Sequence, residues 1–251
     1  MNLPADPLFW ITASTAIILL GLAKGGFAGL GATAMPLLAL VMDPVAAAAM
    51  LMPILLLQDV VSVWSFRRDY DARTLAWMLP GAAVGIGIGW LLASSVSGDM
   101  VRAAVGVIAL AFGLDRLQGL IRSSVRPPSA LPQPFAALWG ATAGFTSQIA
   151  HSGGPPFQIW ALGRVQPHTR FVGTSSIFFA AINWMKLPAY WQLGQFTRDN
   201  MTLALAFLPL ALASTFAGVW VVRRIDAARF MWVISLLMVV VGLELLHVGL
   251  T

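Results

Sequence analysis

The chain has 251 residues, 59% apolar and only 10% charged, with a mean hydropathy of +0.82. Soluble domains are about half apolar and about a quarter charged, so the composition excludes a soluble fold with one anchor and indicates an all-α polytopic membrane protein. The net charge of +5 comes from scattered Lys and Arg, which sets topology and is no nucleic-acid footprint, while the lack of cysteine excludes disulfides and thiolate chemistry.

Crossing a bilayer takes about 20 apolar residues. The apolar blocks run roughly over 8–42, 45–66, 74–96, 100–121, 133–163, 166–187, 199–222 and 228–250. The start, MNLPADPLFW, has no Lys or Arg before its first apolar run, so it reads as mature sequence and not as a signal peptide. The first and fifth blocks are long for single helices and carry clusters of helix breakers. These are GLAKGGFAGLGATAMP over 21–36 and GATAGFTSQIAHSGGP over 140–155, with Gly at the first and fifth positions and Pro at the sixteenth, 119 residues apart. Broken backbone at membrane depth is tolerated only where it is buried in protein or lines a cavity.

Pro80 and Gly89 match Pro209 and Gly218 at an offset of 129, so ten residues are inserted in the second half, most simply at 190–199. Two matching sets in one order indicate a duplication. The halves are 1–121 and 133–251, joined by a polar, Pro-rich linker over 122–132.

Cytoplasmic loops are enriched in Lys and Arg. If all eight blocks cross once, the basic residues divide almost evenly. If the two broken blocks are hairpins that return to their starting side, Arg67, Arg68, Arg73, Arg116, Arg122, Arg126, Arg164, Arg170, Arg223, Arg224 and Arg229 share one side. Only Arg102, Lys186 and Arg198 stay opposite, with Asp6, Asp43, Asp99 and Asp199. The hairpin arrangement gives each half three further crossings. It makes the repeats inverted, with both termini extracytoplasmic and the linker in the cytoplasm.

Inverted repeats with broken helices are a transporter plan in which the breaks meet near the midplane and offer N–H groups to an anion. The candidate substrate site is Lys24, Gly25, Gly26, Gly29 and Gly31 from one half, with Gln148, His151, Ser152, Gly153 and Gly154 from the other. Lys24 is an intramembrane cation, suited to an anion or to pairing with the membrane carboxylate Asp59. Asp59, His151 and Asn183 are candidate coupling residues, and Lys186 reads as an interfacial anchor. Thr174, Ser175 and Ser176 either line the path or bond back to their own helix. No metal set, cofactor fingerprint or catalytic residue is indicated; His151–Ser152 lacks a third partner.

The doubled glycine segments ending in Pro, KGGFAGLGATAMP and SQIAHSGGPP, resemble those of the TauE/SafE family of sulfite and organosulfonate transporters, over about 8–247. The resemblance implies a multi-pass carrier in the bacterial plasma membrane moving sulfite or a sulfonate by alternating access. Its partners would be a small anion and the lipid bilayer, with a homodimer as the candidate assembly and no nucleic acid. Gln148 to Ser152 stand where members of the family often have more glycine, which, with Trp160 and Trp184, suggests a bulkier organosulfonate. An anion channel is the alternative, and an intramembrane enzyme a more distant one.

Overall fold

The computed structural model describes residues 6–25, 30–93, 95, 97–121, 131–161, 164–165, 168–221 and 227–250. Gly26, Gly29, most of the linker, Arg223 and Arg224 lie outside these residues. Among the described residues the fold is entirely helical. The first block forms α1 (Pro7–Lys24), a 3-10 turn (Leu30–Thr33) and α2 (Ala34–Ala39). Next come α3 (Pro44–Phe66), α4 (Ala72–Ala93) and α5 (Gly98–Ile121). The second half repeats the order with α6 (Ala136–Ala150), α7 (Gly154–Ala161), α8 (His168–Gln192), α9 (Arg198–Val221) and α10 (Ala227–Leu250).

Local chemistry explains the helix starts. Asp6–Pro7 and Asp43–Pro44 each supply an N-cap carboxylate and a proline at N1: Asp6 accepts from the Leu8 N–H, and Asp43 from Val45 and Ala46 at 2.9 Å. The cap satisfies first-turn donors, and proline costs nothing where no intrahelical bond is due.

Among the described residues five helices are long and apolar enough to cross a membrane, α1, α3, α4, α5 and α9, while α10 has an apolar stretch over Ser235–Leu250. At 25 residues α8 has the length, roughly 37 Å at 1.5 Å per residue, but not the apolarity. The sequence reading took it as an ordinary span. It is instead the polar helix of the bundle, with Thr174, Ser176, Asn183 and Lys186 all buried. The outer surface is apolar, with Trp64, Leu91, Trp191 and Leu205 exposed, as lipid contact requires.

Glycines set how the helices pair. A Cβ on Gly21 would overlap Ser214, and one on Gly25 the backbone of Gly218, so α1 lies against α9 and runs parallel to it. Likewise Gly81 and Gly85 of α4 meet Ala137 and Ala141 of α6, while Gly140 and Gly144 meet the backbone of Met78 and Ala82, again in parallel. The shared first and fifth glycines of the two motifs are therefore contact points for close helix approach, as in small-xxx-small packing. By contrast α5 packs antiparallel on α10, Gly106 facing Leu246 and Gly113 facing Ser235 and Val239. The pair α3 and α8 is antiparallel too, since Asp59 reaches Asn183 and Ser62 reaches Ser176.

α2 packs on both α1 and α3, and α7 packs on α6. The turns 67–71 and 193–197 have equal length.

The α3–α4 turn is tied to the start of α8 by Asp69, which accepts from Thr169 Oγ1 at 2.7 Å and Arg170 Nε at 3.0 Å. The Thr169 hydrogen bond, then Arg170, hold its carboxyl below the usual aspartate range. This contribution is present above about pH 4 and is lost as pH falls through the lowered value. Thermal unfolding in detergent should show Asp69→Asn less stable than wild type at neutral pH, with the gap closing in acid. A Cβ on Gly87 meets nothing within 4 Å. Gly85→Ala should therefore cost about 1–3 kcal/mol by overpacking, whereas Gly87→Ala should be neutral or slightly stabilising in the same assay.

Candidate functional site

A cavity of about 100 Å³ lies between the two helix breaks. A single water needs roughly 10–15 Å³ of such space, so the volume suits one small polyatomic ion. Its walls include Lys24, Gly31, Ser62, Ser147, His151, Gly154, Gln158, Ser175, Ser176 and Asn183, with Phe157, Phe171 and Phe179 as the apolar surface. From the breaks it extends toward the first turn of α8 at Phe171 and Val172. Beyond the breaks the bundle is filled by a core that includes Phe9, Ile17, Leu51, Tyr190, Leu203 and Phe207.

Lys24 ends α1 and forms an ion pair with Asp59 of α3, which is 2% exposed. Asn183 of α8 donates to the other carboxylate oxygen at 2.7 Å. Ser62, almost one turn past Asp59, donates to the Lys24 carbonyl at 2.9 Å and lies 2.6 Å from Ser176 Oγ. The last carbonyl of a broken helix and an intramembrane charge are thus both satisfied, as a low-dielectric interior demands. The Lys24 ammonium has three donors, one committed to Asp59, and it stands over the Phe179 ring at 5.5 Å.

The second break is shaped by His151, whose φ of 48° puts it in the left-handed region that ends α6. Its Nε2 is 2.8 Å from the Ala48 carbonyl, an acceptor only, so Nε2 carries the proton. Nδ1 is then free to accept from Lys186 Nζ at 2.8 Å. The Ser152 N–H closes the helix on Thr146, and its Oγ donates to the Ala150 carbonyl at 3.0 Å. Ser152 and His151 are therefore not a nucleophile–base pair. Since Pro155 and Pro156 have no N–H, the backbone donors at the start of α7 are those of Gly153 and Gly154, and Gly154 lines the cavity with space around its Cα.

Among the residues named from sequence, Lys24, Gly31, His151, Gly154 and Asn183 meet at the cavity. Asp59 stands one bond behind, through Lys24 and Asn183. Gly25 instead packs on Gly218, Gly153 on Ala143 and Ser147, and Gln148 on Gly89 of α4; none of these three lines the cavity, nor does Ser152. Thr174 donates back to Arg170 at 2.7 Å and accepts from the Asp71 N–H, while Ser175 and Ser176 face the cavity. Neither tryptophan supports a bulkier ligand: Trp184 is 62% exposed on an outer groove beside Trp64, and Trp160 is buried outside the cavity wall.

Lys186 is the clearest correction. It is fully buried, not interfacial, because α8 continues through Pro188 to Gln192 and leaves Lys186 well inside the helix. Sequence reasoning also missed Ser62, Ser147 and Gln158. The available signal was a polar residue inside an apolar block, placed about a helical turn from a residue already suspected.

The model of the family described as "Sulfite exporter TauE/SafE" matches residues 14–245, nearly the whole chain. No curated protein and no solved structure matches it. With the helical bundle and its membrane-length spans, the match shows that the chain belongs to the TauE/SafE family of membrane transporters and is not an enzyme.

Proposed function

We propose that the protein is a secondary transporter of a small oxyanion, sulfite or a small organosulfonate, working by alternating access. The observation that carries this reading is the cavity itself. It brings Lys24, the serine hydroxyls and the Gly154 backbone donor from both halves to one space of about 100 Å³. An anion there meets an ammonium, hydroxyl donors and the positive end of α7, each of which favours negative charge. The small volume favours sulfite or a short alkylsulfonate over an arylsulfonate.

The packing directions support two inverted repeats, 1–121 and 133–251 about the linker 122–132. A two-fold axis in the membrane plane exchanges the parallel pair α1/α9 with α6/α4 and leaves α5/α10 and α3/α8 as antiparallel pairs, which is the observed pattern. Arg67, Arg68, Arg73, Arg164 and Arg170 belong to the end toward which the cavity extends, and Arg102 and Arg198 to the other, with Asp6, Asp43, Asp99 and Asp199. By the positive-inside rule both termini lie outside and this conformation faces the cytoplasm, in what the family resemblance makes a bacterial plasma membrane. The filled core around Tyr190 and Phe207 closes the outer side, which favours a carrier over a channel.

Rocking of one half against the other would open that side. The α1/α9 and α4/α6 contacts, being backbone-close, would move as rigid units, while the breaks and the α3/α8 interface would shift.

Removing Lys24 alone leaves Asp59 buried and unpaired, a loss of about 3–5 kcal/mol. The double variant Lys24→Met, Asp59→Leu should recover most of that stability. It should nevertheless bind sulfite at least tenfold more weakly than wild type by calorimetry in detergent. Wild-type affinity in the folded double variant would contradict the proposal. In liposomes, saturable sulfite counterflow is expected; non-saturable flux would favour a channel.

A further inference from the structure

Lys186 has no role in the site as described, yet it lies directly behind the wall. Its ammonium is fully buried and makes three hydrogen bonds, to Ser147 O at 3.2 Å, Ser147 Oγ at 3.1 Å and His151 Nδ1 at 2.8 Å. The three contacts suit both protonation states: an ammonium donates to all three, whereas an amine donates to Ser147 O and His151 Nδ1 and accepts from the Ser147 hydroxyl. All three acceptors are neutral, and no salt bridge joins Lys186 to a carboxylate among the described residues. The other charged and titratable groups facing it are Lys24 on α1, Asp59 on α3, His151 at the α6 break and Tyr190 on its own helix, whose hydroxyl lies 3.2 Å from His151 Nε2. Lys24 and Asp59 cancel each other. His151 is neutral, with Nε2–H committed to Ala48.

A proton on Lys186 therefore puts one positive charge within the cavity wall with no internal counter-charge among the described residues. A buried unpaired cation is costly, and a monovalent anion in the cavity would offset it. Ser147 and His151, the two residues that hold Lys186, both line that cavity. The Ser147 hydroxyl accepts from Lys186 and so can turn its own proton toward an anion.

We infer that Lys186, held by His151 and Ser147, is the proton-binding site of the transporter, loaded together with the anion so that the two move as a symport. This rests on the anion reading above and adds the coupling ion to it. When the anion leaves, the ammonium loses its counter-charge and gives up its proton; when a proton binds, the cavity gains affinity for an anion. The linkage is reciprocal. A monovalent anion with one proton makes the cycle electroneutral.

The test uses the full chain in detergent and methanesulfonate, which stays ionised throughout. Calorimetry in buffers of different ionisation enthalpy counts the protons taken up on binding. Wild type should take up about one proton per anion and bind at least tenfold more tightly at pH 6 than at pH 9. Lys186→Met, which replaces a buried cation with an apolar chain of similar length, should bind without proton uptake and with the same affinity at both pH values. Wild type that binds without proton uptake overturns the coupling alone, and needs no variant. Uptake that persists in Lys186→Met overturns the assignment to Lys186. Wild type that binds neither methanesulfonate nor sulfite overturns the anion reading and the coupling with it, a result distinct from binding without a proton.

Discussion

The Lys24–Asp59 ion pair, completed by Asn183, is the constraint on which the rest of the structure depends. Within a membrane neither charge is tolerable alone. Their pairing therefore fixes the end of α1 against α3 and, through Asn183, against α8. Those three helices come from both halves of the chain. The first break is thus held at one depth by electrostatics, and the helix-end carbonyl of Lys24 is satisfied by Ser62 in the same cluster. Because the pair is neutral overall, it also lets Lys24 face the cavity without leaving a net charge of its own there.

The second break is held differently. A left-handed residue ends α6, its imidazole is locked between the Ala48 carbonyl and Lys186, and two prolines shape the first turn of α7. One half therefore uses an ion pair and the other a histidine with a buried lysine. The frame is close to symmetric in its helix directions, while the chemistry at the two breaks is not. Under the proposed function, an anion between the breaks would meet distinct surroundings on each side, with the ammonium and carboxylate of one half and the hydroxyl and backbone donors of the other.

Much of this was legible in the sequence because it follows from gross physical constraints. Glycine and proline clusters inside apolar sequence marked the places where the helices break. Lys24, His151 and Gly154 are at the cavity because they sit at those breaks. What stayed hidden was direction within a helix. Gly25 and Gly31 look alike in sequence, yet one faces Gly218 of α9 and the other the cavity. Gln148 is turned toward Gly89, away from the breaks it flanks. Lys186 reads as an interfacial anchor when its apolar block ends at 187, whereas α8 continues through Pro188 to Gln192, as membrane helices do where neighbours satisfy the freed carbonyl. Extending that helix moves Lys186 from an interface to the interior.

The central claim is that an oxyanion binds between the two breaks. Selenite, a heavier counterpart of sulfite, allows it to be located by anomalous diffraction at the selenium edge in crystals of the protein. The account predicts one selenium peak in the cavity bounded by Lys24, Ser147, Gly154 and Asn183. A peak in the outer groove beside Trp64 and Trp184, with none between the breaks, would contradict it.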